Sequence, residues 1–428
     1  MTSLVLIGAL IIFMILGLPV SFAMGLAALV AIFYDGSIPF SALIHRTVMG
    51  VDSFVLLAIP LFILAGTIME QGGISERLIH LARTLVGRFR GGLPMGVVGG
   101  TILESGISGS TVADVSAMAS MTLKPLERAG YERPYSLSVI CASAALGILV
   151  PPCILMVVVG AVANVSVIAL FAAGVLPALL LGAMIIGLIY WQANRHNMPR
   201  DRAYSKREIW EALKDVRVAM GLSIVIFGGI IFGVATVTEI AAFAVLYAFI
   251  AGTLIYKKLT WRMMVHSLVQ TGISTGVVTI ILGLALVFGF ILANDGVPAA
   301  IANWITAAQI PPWGVLVITA LIFIFIGSVL DGPASVLIFI PILAPVVREM
   351  GIDMVHWLTV VVLTSGIGLF IPPAGMAVIM ACSIGKIKME QIFKPLLPFM
   401  LVLFAGVLLL ILFPSITTIM PQWLGLRY

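Results

Sequence analysis

Apolar residues run along this chain in long blocks, and polar residues are confined to short intervals between them. Blocks able to cross about 30 Å of hydrocarbon as helix need roughly 17–25 residues. Such blocks are read near 2–17, 19–34, 53–72, 135–160, 166–192, 218–235, 238–256, 270–293, 355–382 and 392–418. Two more blocks, 93–121 and 314–347, are interrupted midway. The first interruption is Glu104-Ser105-Gly106-Ile107-Ser108-Gly109-Ser110, and the second is Gly327-Ser328-Val329-Leu330-Asp331-Gly332-Pro333. The arms on either side read as too short to cross, which predicts two re-entrant helical hairpins. Irregular backbone at membrane depth survives only when buried in protein or lining a wet cavity. Segments 37–50 and 257–270 are short and amphipathic, and they read as helices lying in the interface plane.

The pattern occurs twice. A shift of 221 residues carries Pro151-Pro152 onto Pro372-Pro373, Gly147 onto Gly368, Gly130 onto Gly351, Ser143 onto Thr364, His45 onto His266 and Ser110 onto Asp331. A small gap separates the pair Gly73 and Gly296. The order is arm, span, hairpin and then a helix broken by Gly-x-x-x-Pro-Pro. An odd number of crossings between equivalent elements turns the second half upside down. Inverted repeats of this kind recur in secondary transporters, with their sites near the midplane at discontinuous helices.

Composition agrees: 61% of residues are hydrophobic, 10% are charged and mean hydropathy is +1.21. A soluble domain carries roughly 25% charged residues. The fold class expected is an all-α polytopic membrane protein, an inverted-repeat elevator-type transporter with two re-entrant hairpins and two broken helices. The expected organisation is first-repeat scaffold and arm at 1–72, a transport region at 73–192 and a cytoplasmic loop at 193–217. Second-repeat scaffold follows at 218–293, and the second transport region at 294–428. All but three of the 23 basic residues (Arg46, Arg348 and Arg427) fall in the expected loops 73–92, 122–134, 193–217 and 383–394 and the segment 257–269, which can be cytoplasmic together. That bias sets the orientation, with both termini outside, the first hairpin entering from the cytoplasm and the second from the opposite face. The three cysteines lack metal-ligand spacing and read as small packing residues. No transition-metal site and no nucleic-acid role is expected. No phosphate loop is found, which argues against ATP hydrolysis on this chain; nor does any catalytic constellation point to an enzyme.

The chemistry is expected at the breaks. Proline lacks an N–H, so carbonyls at 147–150 and 368–371 lose helical partners. Freed carbonyls and small hydroxyls are hard oxygen ligands that suit a small hard cation. Two sodium sites are therefore expected. One combines Ser105, Gly106, Ser108 and Ser110 with Ser143 and Gly147; the other combines Asp331 and Gly332 with Thr364, Gly366 and Gly368. The alternative is that proline merely kinks these helices and the hydroxyls bond back to the preceding turn. Asp331 stands out, because an ionisable group inside the membrane is a functional-site hypothesis by default; helix capping is its structural alternative. It also leaves proton coupling open. Glu104 and Asp114 are weaker candidates of the same kind, and His45 and His266 read as interfacial.

Gly106-Ile107-Ser108-Gly109-Ser110-Thr111-Val112-Ala113-Asp114, Leu330-Asp331-Gly332-Pro333 and Gly368-Leu369-Phe370-Ile371-Pro372-Pro373 resemble the large membrane subunit of TRAP transporters, the tripartite ATP-independent periplasmic transporters. The likeness covers nearly the whole chain, including Ile59-Pro60-Leu61-Phe62. It implies a multi-pass protein of the bacterial inner membrane that imports organic acids, such as C4-dicarboxylates or sialic acid, with sodium. It also implies two partners, a small four-helix membrane subunit and a periplasmic substrate-binding protein, and an elevator movement in the lipid bilayer. The family's ion ligands carry over to the Ser108/Ser110 tip, Asp331 and the broken-helix stretches. No arginine stands in the tips or breaks. The carboxylate is therefore expected at hairpin and half-helix N-termini, with Ser108, Gly109, Pro151 and Pro372 as candidate contacts. A stand-alone carboxylate symporter and a non-transporting membrane assembly subunit remain alternatives.

Overall fold

The computed structural model describes residues 1–200, 204–231, 235–330 and 332–426, without the side chains of 74–76, 107, 108, 223, 227, 230 and 231. Asp331 therefore lies outside the described residues, as does the side chain of Ser108. The described chain is helical throughout. Among the described residues seven helices are long and apolar enough to cross a membrane: Phe54–Gln71, Val167–Arg195, Val237–Ile255, Trp261–Asn294, Pro312–Val329, Gly332–Glu349 and Met389–Leu412. This is a multi-pass membrane protein.

Secondary structure repeats at the spacing read in the sequence. Thr111–Arg128 and Gly332–Glu349 are both 18 residues. Arg133–Gly147 and Met354–Gly368 are both 15 residues, and each ends on its repeat glycine. Ile154–Ala163 and Met376–Gly385, both 10 residues, resume after the two proline pairs. Pro151-Pro152 and Pro372-Pro373 are both cis.

Three boundaries differ from expectation. The stretch after Gly73 is not loop, because Ile74–Val86 is a helix. Leu78, Leu81 and Ala82 pack inward from it, while His80 is exposed. The stretch 193–217 gains helix from Lys206 onward. Segment 257–270 is not a separate arm: from Trp261 it continues into one 34-residue helix, Trp261–Asn294. Its first-half counterpart, Phe40–Val51, stops at Asp52-Ser53 before Phe54–Leu57 and Ala58–Gln71. Asp and Ser compete with helix for backbone partners; one repeat later Asp52 is replaced by Ile273.

Length alone does not make the second pair re-entrant. Its two helices, Pro312–Val329 and Gly332–Glu349, have 18 residues each, or about 27 Å at the α-helical rise. Packing separates the two arms. Buried residues fill 67% of the Gly332–Glu349 window and 39% of the Pro312–Val329 window.

The core is built from the broken helices. Arg133–Gly147 packs on both helices of the first pair, Gly92–Ser108 and Thr111–Arg128, and Met354–Gly368 packs on both helices of the second. Each pair also reaches across to the other half. Thr111–Arg128 packs on Met376–Gly385, and Gly332–Glu349 packs on Ile154–Ala163. Two arginines fasten this crossing. Arg133 donates to the Gly385 carbonyl at 3.0 Å, and Arg348 donates to the Ala163 carbonyl. Both satisfy C-terminal carbonyls and place positive charge at the negative end of a helix. Cys141, Cys153 and Cys382 are buried in this core as free thiols.

Val167–Arg195 passes the first break at Gly174. A Cβ there would lie 2.3 Å from the Leu149 carbonyl oxygen and 2.7 Å from Met156 Cε. Overpacking a tight core costs about 1–3 kcal/mol. Gly174→Ala is expected to lower the melting temperature of the purified protein by several degrees. Gly187→Ala on the same helix, where a Cβ meets nothing within 4 Å, is expected to leave it unchanged.

Candidate functional site

The first tip is a two-residue turn. Gly92–Ser108 ends at Gly109, which is left-handed (φ 64°), and Ser110 N-caps Thr111–Arg128 in extended backbone. The turn sits on the break. A Cβ at Gly109 would come within 3.0 Å of the Pro152 carbonyl oxygen, and one at Gly106 within 3.3 Å of that of Pro151. Glycine here lets two backbones meet.

One turn below the tip, Ser105 and Asp114 face each other across the pair. Both are buried, at 1% exposure each, and the Ser105 hydroxyl donates to Asp114 Oδ2. Gly147 closes on this contact from the broken helix. A Cβ on it would fall 2.1 Å from Ser105 Oγ and 2.8 Å from Asp114 Oδ2. Residues 105, 106, 109, 110, 114 and 147 are thus gathered at one place. Glu104 is buried nearby on the same helix.

The two breaks treat their carbonyls differently. The expectation that Gly147 and Gly368 would present free carbonyls is corrected: each accepts from an N–H three residues on, Val150 and Ile371, at 3.0 Å. Residues 148 and 369 are the ones truly deprived, because both following positions in helical reach are proline. Leu369 recovers a donor from the Ala377 N–H at 3.1 Å. Among the described residues no backbone N–H reaches the Ile148 carbonyl. Such a buried acceptor is costly without a partner.

The hydroxyls follow a similar logic. Ser143 donates to the Val139 carbonyl at 2.6 Å, and Thr364 donates to the Val360 carbonyl at 2.8 Å. Their protons are spent on the preceding turn, and their oxygen lone pairs remain. Ser365 was not singled out in the sequence. It is fully buried, and its hydroxyl has no hydrogen-bond partner among the described residues. It lies where the second pair touches the second broken helix: a Cβ on Gly327 would meet the Ser365 carbonyl oxygen at 2.7 Å. Gly368 is pressed against Gly327 in the same contact, 2.7 Å from the Gly327 carbonyl carbon by the same measure.

Gly366 joins the two breaks, since a Cβ on it would sit 2.8 Å from Ile148 Cγ2. Gly332, beside the second tip, stands against Leu155 at the start of Ile154–Ala163. Pro151 stands three residues before Ile154–Ala163 and Pro372 four before Met376–Gly385, on the approach to the two half-helix N-termini, where the helix dipole is positive. His45 and His266 are exposed and far from all of this along their helices. The assembly offers carbonyl and hydroxyl oxygens, two buried acidic residues at the first site, Glu104 and Asp114, and two positive helix ends. It can hold a hard cation beside an anion.

Comparison with known proteins agrees over nearly the whole chain. Residues 7–416 match the family described as "Tripartite ATP-independent periplasmic transporter, DctM component". The C4-dicarboxylate TRAP transporter large permease protein DctM of Rhodobacter capsulatus is 32% identical over 440 residues, spanning 100% of both chains. The sialic acid TRAP transporter large permease protein SiaM of Vibrio cholerae is 32% identical over 406 residues, 95% of each. The solved structure of the Alcanivorax borkumensis YdaH transporter superposes with a TM-score of 0.66 at 15% identity, covering 88% of each chain; this likeness concerns the fold alone. The chain belongs to the large permease subunits of the TRAP transporters.

Proposed function

We propose that this chain imports a small organic acid across the bacterial inner membrane, driven by sodium. It works with a small membrane subunit and a periplasmic binding protein that delivers the substrate. The family relatives support this reading through the C4-dicarboxylate and sialic acid in their names. The observation that carries the sodium assignment is the Ser105–Asp114 contact against Gly147. By accepting the Ser105 hydrogen bond, Asp114 points the hydroxyl hydrogen away and leaves the Ser105 oxygen lone pairs to act as an acceptor toward the break. An acceptor-only oxygen suits a cation and repels an anion.

The Ile148 carbonyl and the Ser143 oxygen add to the first site. Ser365, Thr364 and Asp331 serve the second. A bound cation would satisfy the Ser365 oxygen, which otherwise has only apolar packing for its desolvation. The substrate carboxylate sits at the positive ends of Ile154–Ala163 and Met376–Gly385, next to Gly109, Pro151 and Pro372. Bound sodium supplies the remaining countercharge, so the anion site is complete only when sodium is present. The two halves lie inverted. The crossed core of hairpins and broken helices moves as one body against the remaining helices, as an elevator.

The test is reconstitution with both partner proteins, following labelled C4-dicarboxylate or sialic acid under a sodium gradient. Uptake is expected only with the binding protein and inward sodium. Uptake by the chain alone would move it to the stand-alone symporters, and uptake indifferent to sodium would overturn the cation sites. Asp331→Asn is expected to cut uptake at least tenfold with the protein still monodisperse in detergent. Ser365→Ala is expected to raise the sodium concentration for half-maximal uptake severalfold, at unchanged expression; an unaltered sodium dependence would remove Ser365 from the site.

A further inference from the structure

Each hairpin is entered through a short helix that begins at a left-handed glycine. Gly73 (φ 74°) precedes Ile74–Val86, and Gly296 (φ 75°) precedes Val297–Ala307. These are the points in each half where the chain passes from scaffold helix to transport core. A polar contact lies at each point, and in both cases the far partner is the first helix of the opposite half; only at Gly73 does it start from a residue beyond the glycine.

At the first joint the contact is extensive. Arg77, four residues past the glycine, places Nε 3.2 Å from both oxygens of Asp215 on Lys206–Ile231. Its guanidinium lies over the Tyr256 ring, 4.0 Å from the centroid, and Nη1 donates to the Gly73 carbonyl at 3.2 Å. The side chain thus spans the joint itself and grips two elements beyond it. Lys258 fills the remaining space, with Nζ 2.6 Å from where a Gly73 Cβ would be. At the second joint Asp295 accepts from the Ser3 N–H at 2.9 Å, on Thr2–Ile15. Hydrogen bonds from Ser3 lead the interactions that pull the Asp295 carboxyl down to about 2.

We propose that the Arg77–Asp215–Tyr256 contact is a latch on the Gly73 joint, and that Arg77 is a positioning residue for transport. This rests on the transport reading above. Rotation at Gly73 carries Arg77 away from Asp215 and Tyr256, so the contact is made in the arrangement seen here and lost in another. Its environment suits a contact that opens. Arg77 is 20% and Asp215 59% exposed, so water replaces either partner cheaply, whereas a fully buried pair would lock the joint. A partly exposed ion pair with a stacked ring favours its closed state by about fivefold in population. The Asp295–Ser3 contact ties together two helices that come before the second joint and does not cross it.

The experiment uses the complete complex in liposomes, with spin labels on cysteines placed at Leu85 and Ile224, both exposed; the three native cysteines are buried. In Arg77→Gln, which loses both the ion pair and the ring stack, the population at the wild-type distance is expected to fall about fivefold relative to the rest, and in Asp215→Asn, which keeps the stack on Tyr256, it is expected to fall by less, about twofold. Arg77→Asp/Asp215→Arg is expected to restore most of it. Vmax should change threefold or more while substrate KM and the sodium half-saturation stay within twofold. The melting temperature should hold in at least one single variant and the double variant. Distances and Vmax identical to wild type in both single variants, or no restoration by the charge swap, would overturn the latch. If the wild-type complex shows no gradient-driven uptake, the transport reading falls, and the label distances still decide the latch.

Discussion

The structure depends on how it repairs two helices that proline has broken in a buried core. Backbone polar groups cut off from water must find partners inside the protein. Pro151-Pro152 and Pro372-Pro373 each remove two consecutive donors; the first pair is buried, whereas at the second Pro373 and Ala374 are exposed while Leu369 and Phe370 before them are buried. The repairs occupy the rest of the fold. Gly147 and Gly368 turn their carbonyls to the N–H three residues on. Leu369 borrows the N–H of Ala377. Glycines at 106, 109, 327 and 366 let neighbouring backbone and side chains approach the breaks closely enough to enclose them. Among the described residues the carbonyls of Ile148, Leu149 and Val150 receive no backbone N–H, and they lie where the cation chemistry is proposed.

The two halves repeat in element length far more faithfully than in chemistry. Ser105 and Asp114 become Ile326 and Ser335 one repeat later, while Ser110 becomes Asp331. Ser335 simply bonds back to the Gly332 carbonyl at 2.8 Å. The first half thus carries two buried acids near its tip, Glu104 on the first arm and Asp114 on the second, while the second half carries Asp331 at the tip by sequence. A carboxylate that binds a neighbouring hydroxyl, as Asp114 binds Ser105, acts by orienting it.

Much of this was legible in the sequence, for identifiable reasons. Proline pairs preceded by glycine leave few conformational options, so both broken helices were placed correctly. The Ser105–Asp114 contact was also within reach, because the two residues are equidistant from the turn at 109–110. The helix Ile74–Val86 was missed although its apolar positions Leu78, Leu81, Ala82 and Leu85 keep helical period. Its basic residues drew the reading toward a loop. Carbonyl repair was not legible: sequence tells which donors are removed, while which neighbour replaces them depends on backbone path over a few residues. Ser365 was missed for a related reason. Its neighbour Thr364 matches Ser143 across the repeat, and about 100° of helix rotation separates the two side chains.

The joints add a constraint that the core alone does not supply. Under the proposed elevator movement, the crossed core, fastened by Arg133 and Arg348 at the ends of its half-helices, turns where the chain entering it is free to turn. Glycine with positive φ provides that freedom at both entrances without side-chain strain. Freedom by itself would leave the arrangement of core and surrounding helices undetermined, so something outside the core must choose. The contacts at Arg77 and Asp295 both come from the first helix of the other half. The two entrances are nevertheless unequal. Arg77 lies beyond its glycine, so the proposed latch acts on the first joint, whereas Asp295 and Ser3 join two helices that both come before the second.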